Sequence, residues 1–99
     1  MSPVSFQRVF RVAVDHPSLP GHFPGSPLVP GVMLLEQVAL ALREWRGERL
    51  ARVLEAKFVA PLLPGQDATI ALTEANGRVR FDIRRDDTLL ARGSVEGAP

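Results

Sequence analysis

Apolar residues recur with a period of two at both ends of the chain and with a helical period between them. Phe6, Phe10, Val12 and Val14 fall on one face of a strand over residues 5–14, interrupted by Arg8. From Gly31 to Trp45 the pattern is helical. Pro30 and Gly31 stand at its first turn and Gly47 is placed to end it. Between Val32 and Leu42 only Glu36 and Gln37 are polar, so the spacing predicts a helix buried on all sides.

The second half alternates. Over residues 52–60, Leu54, Ala56, Phe58 and Ala60 share one face, opposed by Val53, Glu55, Lys57 and Val59. Pro61-Leu62-Leu63-Pro64-Gly65 makes a break, and residues 68–75 resume with Ala68, Ile70 and Leu72 on one side. Asn76-Gly77 predicts a two-residue hairpin, because both positions tolerate positive φ. Val79, Phe81 and Ile83 then alternate with Arg78, Arg80, Asp82 and Arg84; Asp86-Asp87 turns the chain into a last strand over residues 88–95. Five strands and one long helix predict an α+β fold, an antiparallel sheet curled around the helix.

Ninety-nine residues fit one domain spanning 1–99. Without cysteine there is no disulfide, zinc ribbon or thiol catalysis, and a net charge of +1 gives no reason to expect nucleic acid. The longest uncharged stretch, His16 to Leu35, carries five of the nine prolines and so predicts an ordered loop running into the helix, not a membrane span. The first residues lack a basic start followed by an apolar run, which predicts a cytoplasmic protein.

Three features carry candidate chemistry. His22-Phe23-Pro24-Gly25 fixes a histidine at a tight turn, whereas His16, also beside a proline, has no such context. Taken alone, a loop histidine is more often a structural hydrogen-bonding group than a catalyst. Glu36 has Val32, Met33, Ala39 and Leu40 at helical spacing; a carboxylate there is paired, neutral or exposed at a pocket, and an apolar surround would favour the neutral acid and suit it to carry a proton. Pro30-Gly31 opens the helix, whose first N–H groups lack intrahelical partners, and Gly31 leaves room for a ligand oxygen to approach them, although by itself the pair reads first as an ordinary helix start. Arg43, Arg46, Arg49 and Arg52, interleaved with Glu44, Glu48 and Glu55, read as solvated surface, with a docking patch for an acidic partner as the alternative.

Taken together, the run from His22-Phe23-Pro24-Gly25 through Pro30-Gly31-Val32 to Glu36 resembles the active-site segment of the β-hydroxyacyl-acyl-carrier-protein dehydratases. Lys57-Phe58-Val59-Ala60-Pro61-Leu62-Leu63-Pro64-Gly65 resembles a second block of that family, and the likeness covers about residues 8–73. The resemblance implies a hot-dog fold. It also implies dehydration of 3-hydroxyacyl thioesters, held on the phosphopantetheine of an acyl carrier protein, to trans-2-enoyl thioesters. General fatty acid synthesis and a dedicated aryl-polyene or polyketide-like pathway are both settings for it.

On the resemblance, His22 is the base and Glu36 assists loss of the hydroxyl, while Phe23, Pro24, Gly25, Pro30, Gly31 and Val32 form the substrate site. No metal or diffusible cofactor is implied. The family's Glu-Ala-x-Ala-Gln is here Glu36-Gln37-Val38-Ala39-Leu40, without the glutamine at position 40. Fewer residues precede the first strand than is common in the family, so a more open acyl site, or one completed by a partner chain, is expected. A homodimer is implied, with a heterodimer as the alternative. A non-catalytic subunit that binds acyl carriers and an acyl thioesterase are the competing functions on the same fold.

Overall fold

A computed structural model of the chain describes residues 5–14 and 28–99. The elements follow in the order β1 (Ser5–Arg11), α1 (Gly31–Arg46), β2 (Arg49–Phe58), β3 (Asp67–Ala75), β4 (Arg78–Arg85) and β5 (Thr88–Ala98). The five strands form one antiparallel sheet in the order β1-β3-β4-β5-β2. This is the α+β arrangement the pattern predicts. The two outer pairings, β1 with β3 and β2 with β5, join strands that are not consecutive, so β2 lies at the far edge from β1.

Local signals set the element ends. Pro30 is extended (φ −61°, ψ 147°) and α1 starts after it. Gly47 takes the left-handed conformation (φ 69°) and donates its N–H to the Arg43 carbonyl, closing the helix, while Arg43 and Arg46 place positive charge in the last turn. Asn76 (φ 52°) and Gly77 (φ 79°) make the predicted tight hairpin between β3 and β4, which aligns Ala75 with Arg78 and Leu72 with Phe81. β1 ends at Arg11, so Val12 remains buried while Val14, grouped with it by alternation, is exposed.

The core lies between one side of α1 and the inner face of the sheet. Met33, Leu34, Val38, Ala41 and Leu42 repeat at helical spacing, and Ile70, Leu72, Phe81, Ile83, Leu90 and Val95 meet them from β3, β4 and β5. Burying each of these larger side chains contributes about 1.5–3 kcal/mol. At the helix end Trp45 stacks on Phe6 of β1, with ring centroids 6.3 Å apart, and the Arg46 guanidinium lies 4.0 Å over the indole. Arg46 also donates to Glu74 at 2.6 Å, and Arg8 lies 3.6 Å from Glu44. Arg46 is thus a helix-to-sheet tie, not part of a free basic patch.

One side of α1 departs from the sequence expectation. Val32 (62% exposed) and Leu40 (48%) face away from the sheet, so the helix is not buried all round within a single chain. A five-stranded sheet covers only the sheet-facing side of the helix it curls about.

β2 and β5 meet irregularly, with register shifts between Leu50 and Arg52 and between Val53 and Glu55. There the Glu55 carbonyl is pressed against Gly93, where an added Cβ would overlap the carbonyl oxygen and lie 2.8 Å from the Phe81 ring. Gly93→Ala is therefore expected to cost at least the roughly 1–3 kcal/mol of ordinary overpacking, because a backbone atom cannot rotate aside. Thermal denaturation checks this, at roughly 4–8 °C per kcal/mol for a domain of this size; an unchanged melting point would show that the two strands have slack.

Candidate active site

α1 and the segment after β2 build the described part of the site. Pro30 offers no N–H and no side-chain cap, and the first turn of α1 carries no acidic residue. The Met33 N–H bonds the Pro30 carbonyl at 3.0 Å, while the Gly31 and Val32 N–H groups have no acceptor among the described residues. These two amides stand at the positive end of the helix dipole and can donate to an oxygen on which negative charge develops.

The approach to this end is held by three hydrogen bonds. The Val29 N–H donates to the Leu62 carbonyl at 2.9 Å, tying the residues before α1 to those after β2. Val59 and Ala60 both donate to the Leu90 carbonyl, at 2.7 and 3.2 Å. Phe58, paired with Ala91, is carried at the last position of β2 against the helix start. A Cβ on Gly31 would lie 2.8 Å from its Cζ and 3.1 Å from both Cε atoms. The space that the missing side chain leaves, expected to admit a ligand oxygen, is filled by this ring; a ligand must approach the amides beside it.

Phe58 is the site residue that the sequence reading left out. Alternation grouped it with half-buried Leu54 and Ala56, yet Phe58 is 51% exposed. The signal was present as a conjunction, since the helix opens on a glycine and the lysine-phenylalanine pair ends a strand. Only proximity in space joins the two.

Glu36 lies five residues beyond Gly31, about 7.5 Å further along the axis at 1.5 Å per residue. It is exposed, it has no ion pair among the described residues, and it stands between Val32 and Leu40 on the uncovered side of α1. The apolar surround expected from the sequence is there as neighbours on the helix, but burial is not. Among the described residues nothing withdraws this carboxylate from water; a covering chain or a bound acyl group would.

His22, Phe23, Pro24 and Gly25 lie outside the described residues, as does His16. The described site thus brings together Pro30, Gly31, Val32, Phe58 and Glu36. A separate polar cavity of about 360 Å³ is lined by Glu55, Arg78, Arg80, Asp82, Arg92 and Ser94, among others, with no residue from α1. Arg80 and Asp82 flank buried Phe81 on β4, so this cavity opens on the outward face of the sheet. Among the described residues no helix is long and apolar enough to cross a membrane.

Among the described residues, one long helix against a five-stranded antiparallel sheet, with a glycine-opened N-terminus at one end, defines the chain as a hot-dog protein. Solved structures with this fold include the dehydratase heterocomplex ApeI:P from Xenorhabdus doucetiae, at a TM-score of 0.81 and 20% identity over 96% of this chain and 88% of that one. The fluoroacetyl-CoA-specific thioesterase FlK matches at 0.63 and 17% identity, over 99% and 93%. The sequence narrows the class: residues 3–94 match the model of the ApeI-like family, described as ApeI dehydratase, and the chain belongs to that family.

Curated relatives are 3-hydroxyacyl-[acyl-carrier-protein] dehydratases named FabZ. That of Haemophilus influenzae is 41% identical over 65 residues, 56% of this chain and 44% of the relative. That of Chlamydia trachomatis is 37% identical over 86 residues, 72% and 56%. The chain spans about half the length of the curated relatives it matches.

Proposed function

We propose that the chain dehydrates 3-hydroxyacyl thioesters, carried on the phosphopantetheine of an acyl carrier protein, to trans-2-enoyl thioesters. The observation that carries the reading is the placement of Glu36 on the open side of α1, just over one turn from the Gly31 and Val32 amides, which have no acceptor among the described residues. The His22-to-Glu36 motif in a chain of the ApeI-like family supports it.

In this mechanism the thioester oxygen accepts hydrogen bonds from the Gly31 and Val32 amides. That stabilises the negative charge that builds as His22 removes a proton from the adjacent carbon. The electrons of the broken C–H bond form the new C=C bond, and the C–O bond at the next carbon breaks. Glu36 donates the proton with which the hydroxyl leaves as water. Passage of the proton on His22 back to Glu36 through solvent resets both groups. The chemistry requires no oxidant, reductant or metal.

The partners on this reading are the acyl carrier protein and a second hot-dog subunit. A second copy of this chain would serve, as would a different subunit like that in the heterocomplex from Xenorhabdus doucetiae. That heterocomplex also supports a second reading, in which this chain completes another subunit's site without turning over substrate itself.

Incubating the protein with 3-hydroxyacyl and with saturated acyl pantetheine thioesters separates the readings. Enoyl product is the expected result. Release of free thiol from either substrate would instead mean a thioesterase, and neither product a binding subunit.

A further inference from the structure

The Phe58 ring stands closer to Gly31 than any side chain on that residue would allow, yet half of it faces solvent. Three backbone hydrogen bonds fix the two partners, from Val29 to Leu62 and from Val59 and Ala60 to Leu90. Phe58 is absent from the buried core: it touches the start of α1 yet is left about half open to solvent. Its ring is a fixed apolar wall beside the first amide of the helix, with exposed Val32 next along the chain.

A thioester whose oxygen bonds the Gly31 N–H has its carbonyl carbon, and the carbon next to it, within two bonds of that oxygen. The ring therefore borders the space around the carbon from which the proton is lost. An unbranched acyl group presents only hydrogens there. A methyl branch on the side of that carbon facing Phe58 would meet the ring, whose place is held by the backbone bonds on either side of it, and overpacking of this kind is costly.

Resting on the dehydratase reading, we propose that Phe58 is a specificity-determining residue: its ring, set against Gly31, selects thioesters unbranched at the carbon next to the carbonyl and disfavours 2-methyl ones. Shortening the side chain opens the excluded volume without altering His22, Glu36 or the helix amides.

The test compares kcat/KM for a 3-hydroxyacyl pantetheine thioester and its 2-methyl counterpart, in the wild-type protein, Phe58→Leu and Phe58→Ala. A single methylene in an apolar pocket discriminates by about 10–200-fold. The ratio of branched to unbranched kcat/KM is expected to rise about tenfold or more in Phe58→Ala, with Phe58→Leu between it and wild type. General destabilisation lowers both rates together and leaves the ratio unmoved. Enoyl product from the unbranched substrate with the same ratio in all three proteins would overturn the assignment of Phe58 alone. A wild-type protein that yields enoyl product from neither substrate would overturn the dehydratase reading and the proposal with it.

Discussion

His22→Ala is expected to lower turnover of a 3-hydroxyacyl thioester by about 10²–10⁴-fold, the usual contribution of a positioned general base. His16 and His22 are the only two histidines in the chain, and both adjoin residues that favour turns. Only His22 is followed by Phe-Pro-Gly and lies 14 residues before Glu36 of α1. His16→Ala is therefore expected to stay near wild-type turnover. Steady-state kinetics on both variants, with melting temperatures alongside, checks the distinction. Equal losses from the two substitutions would remove the reason for assigning the base to His22.

Glu36→Gln is expected to abolish most activity, by about 10²-fold or more, while leaving the melting temperature unchanged. Glutamine keeps the shape and cannot donate the acid's proton. The structure sharpens this expectation, because Glu36 is exposed and makes no ion pair among the described residues, so its charge supports no packed contact there. Full turnover with a lowered melting point would assign it a structural role.

The same residue tests the assembly. Its helix side, with Val32 and Leu40, is left uncovered by its own sheet, and among the described residues β2 ends the sheet with an unpaired edge. If the base of one chain serves the acid of its twofold partner, then mixing His22→Ala with Glu36→Ala after dissociation makes about half the dimers mixed. Each mixed dimer holds one whole site, so about a quarter of wild-type activity returns. Activity that stayed at the level of the single mutants would place both residues in one chain's site.

Much of the fold was legible because its signals are local. Asn76-Gly77 accepts the positive φ of a tight hairpin, and Gly47 accepts the left-handed stop of α1. Alternation on β4 separates Val79, Phe81 and Ile83 from Arg78, Arg80 and Asp82 whatever the strand pairs with. Glu36 stood out from residue type and helical spacing alone. In each case a residue and its near neighbours contain the whole argument.

What required the tertiary structure is non-local. The sequence predicts a sheet around a helix, but the pairing of β2 with β5 and of β1 with β3 depends on which edges meet after the chain has crossed over. The exposure of Val32 and Leu40 depends on how far five strands reach around one helix. Arg46 is one of four similar arginines by sequence, and only the approach of Trp45 and Glu74 makes it a tie. Phe58 and Gly31 are 27 positions apart, and neither residue type demands the other. Periodicity along the chain fixes which face of each element is apolar; only the closing of distant elements on one another decides which apolar side chains are buried and which are left to border a site.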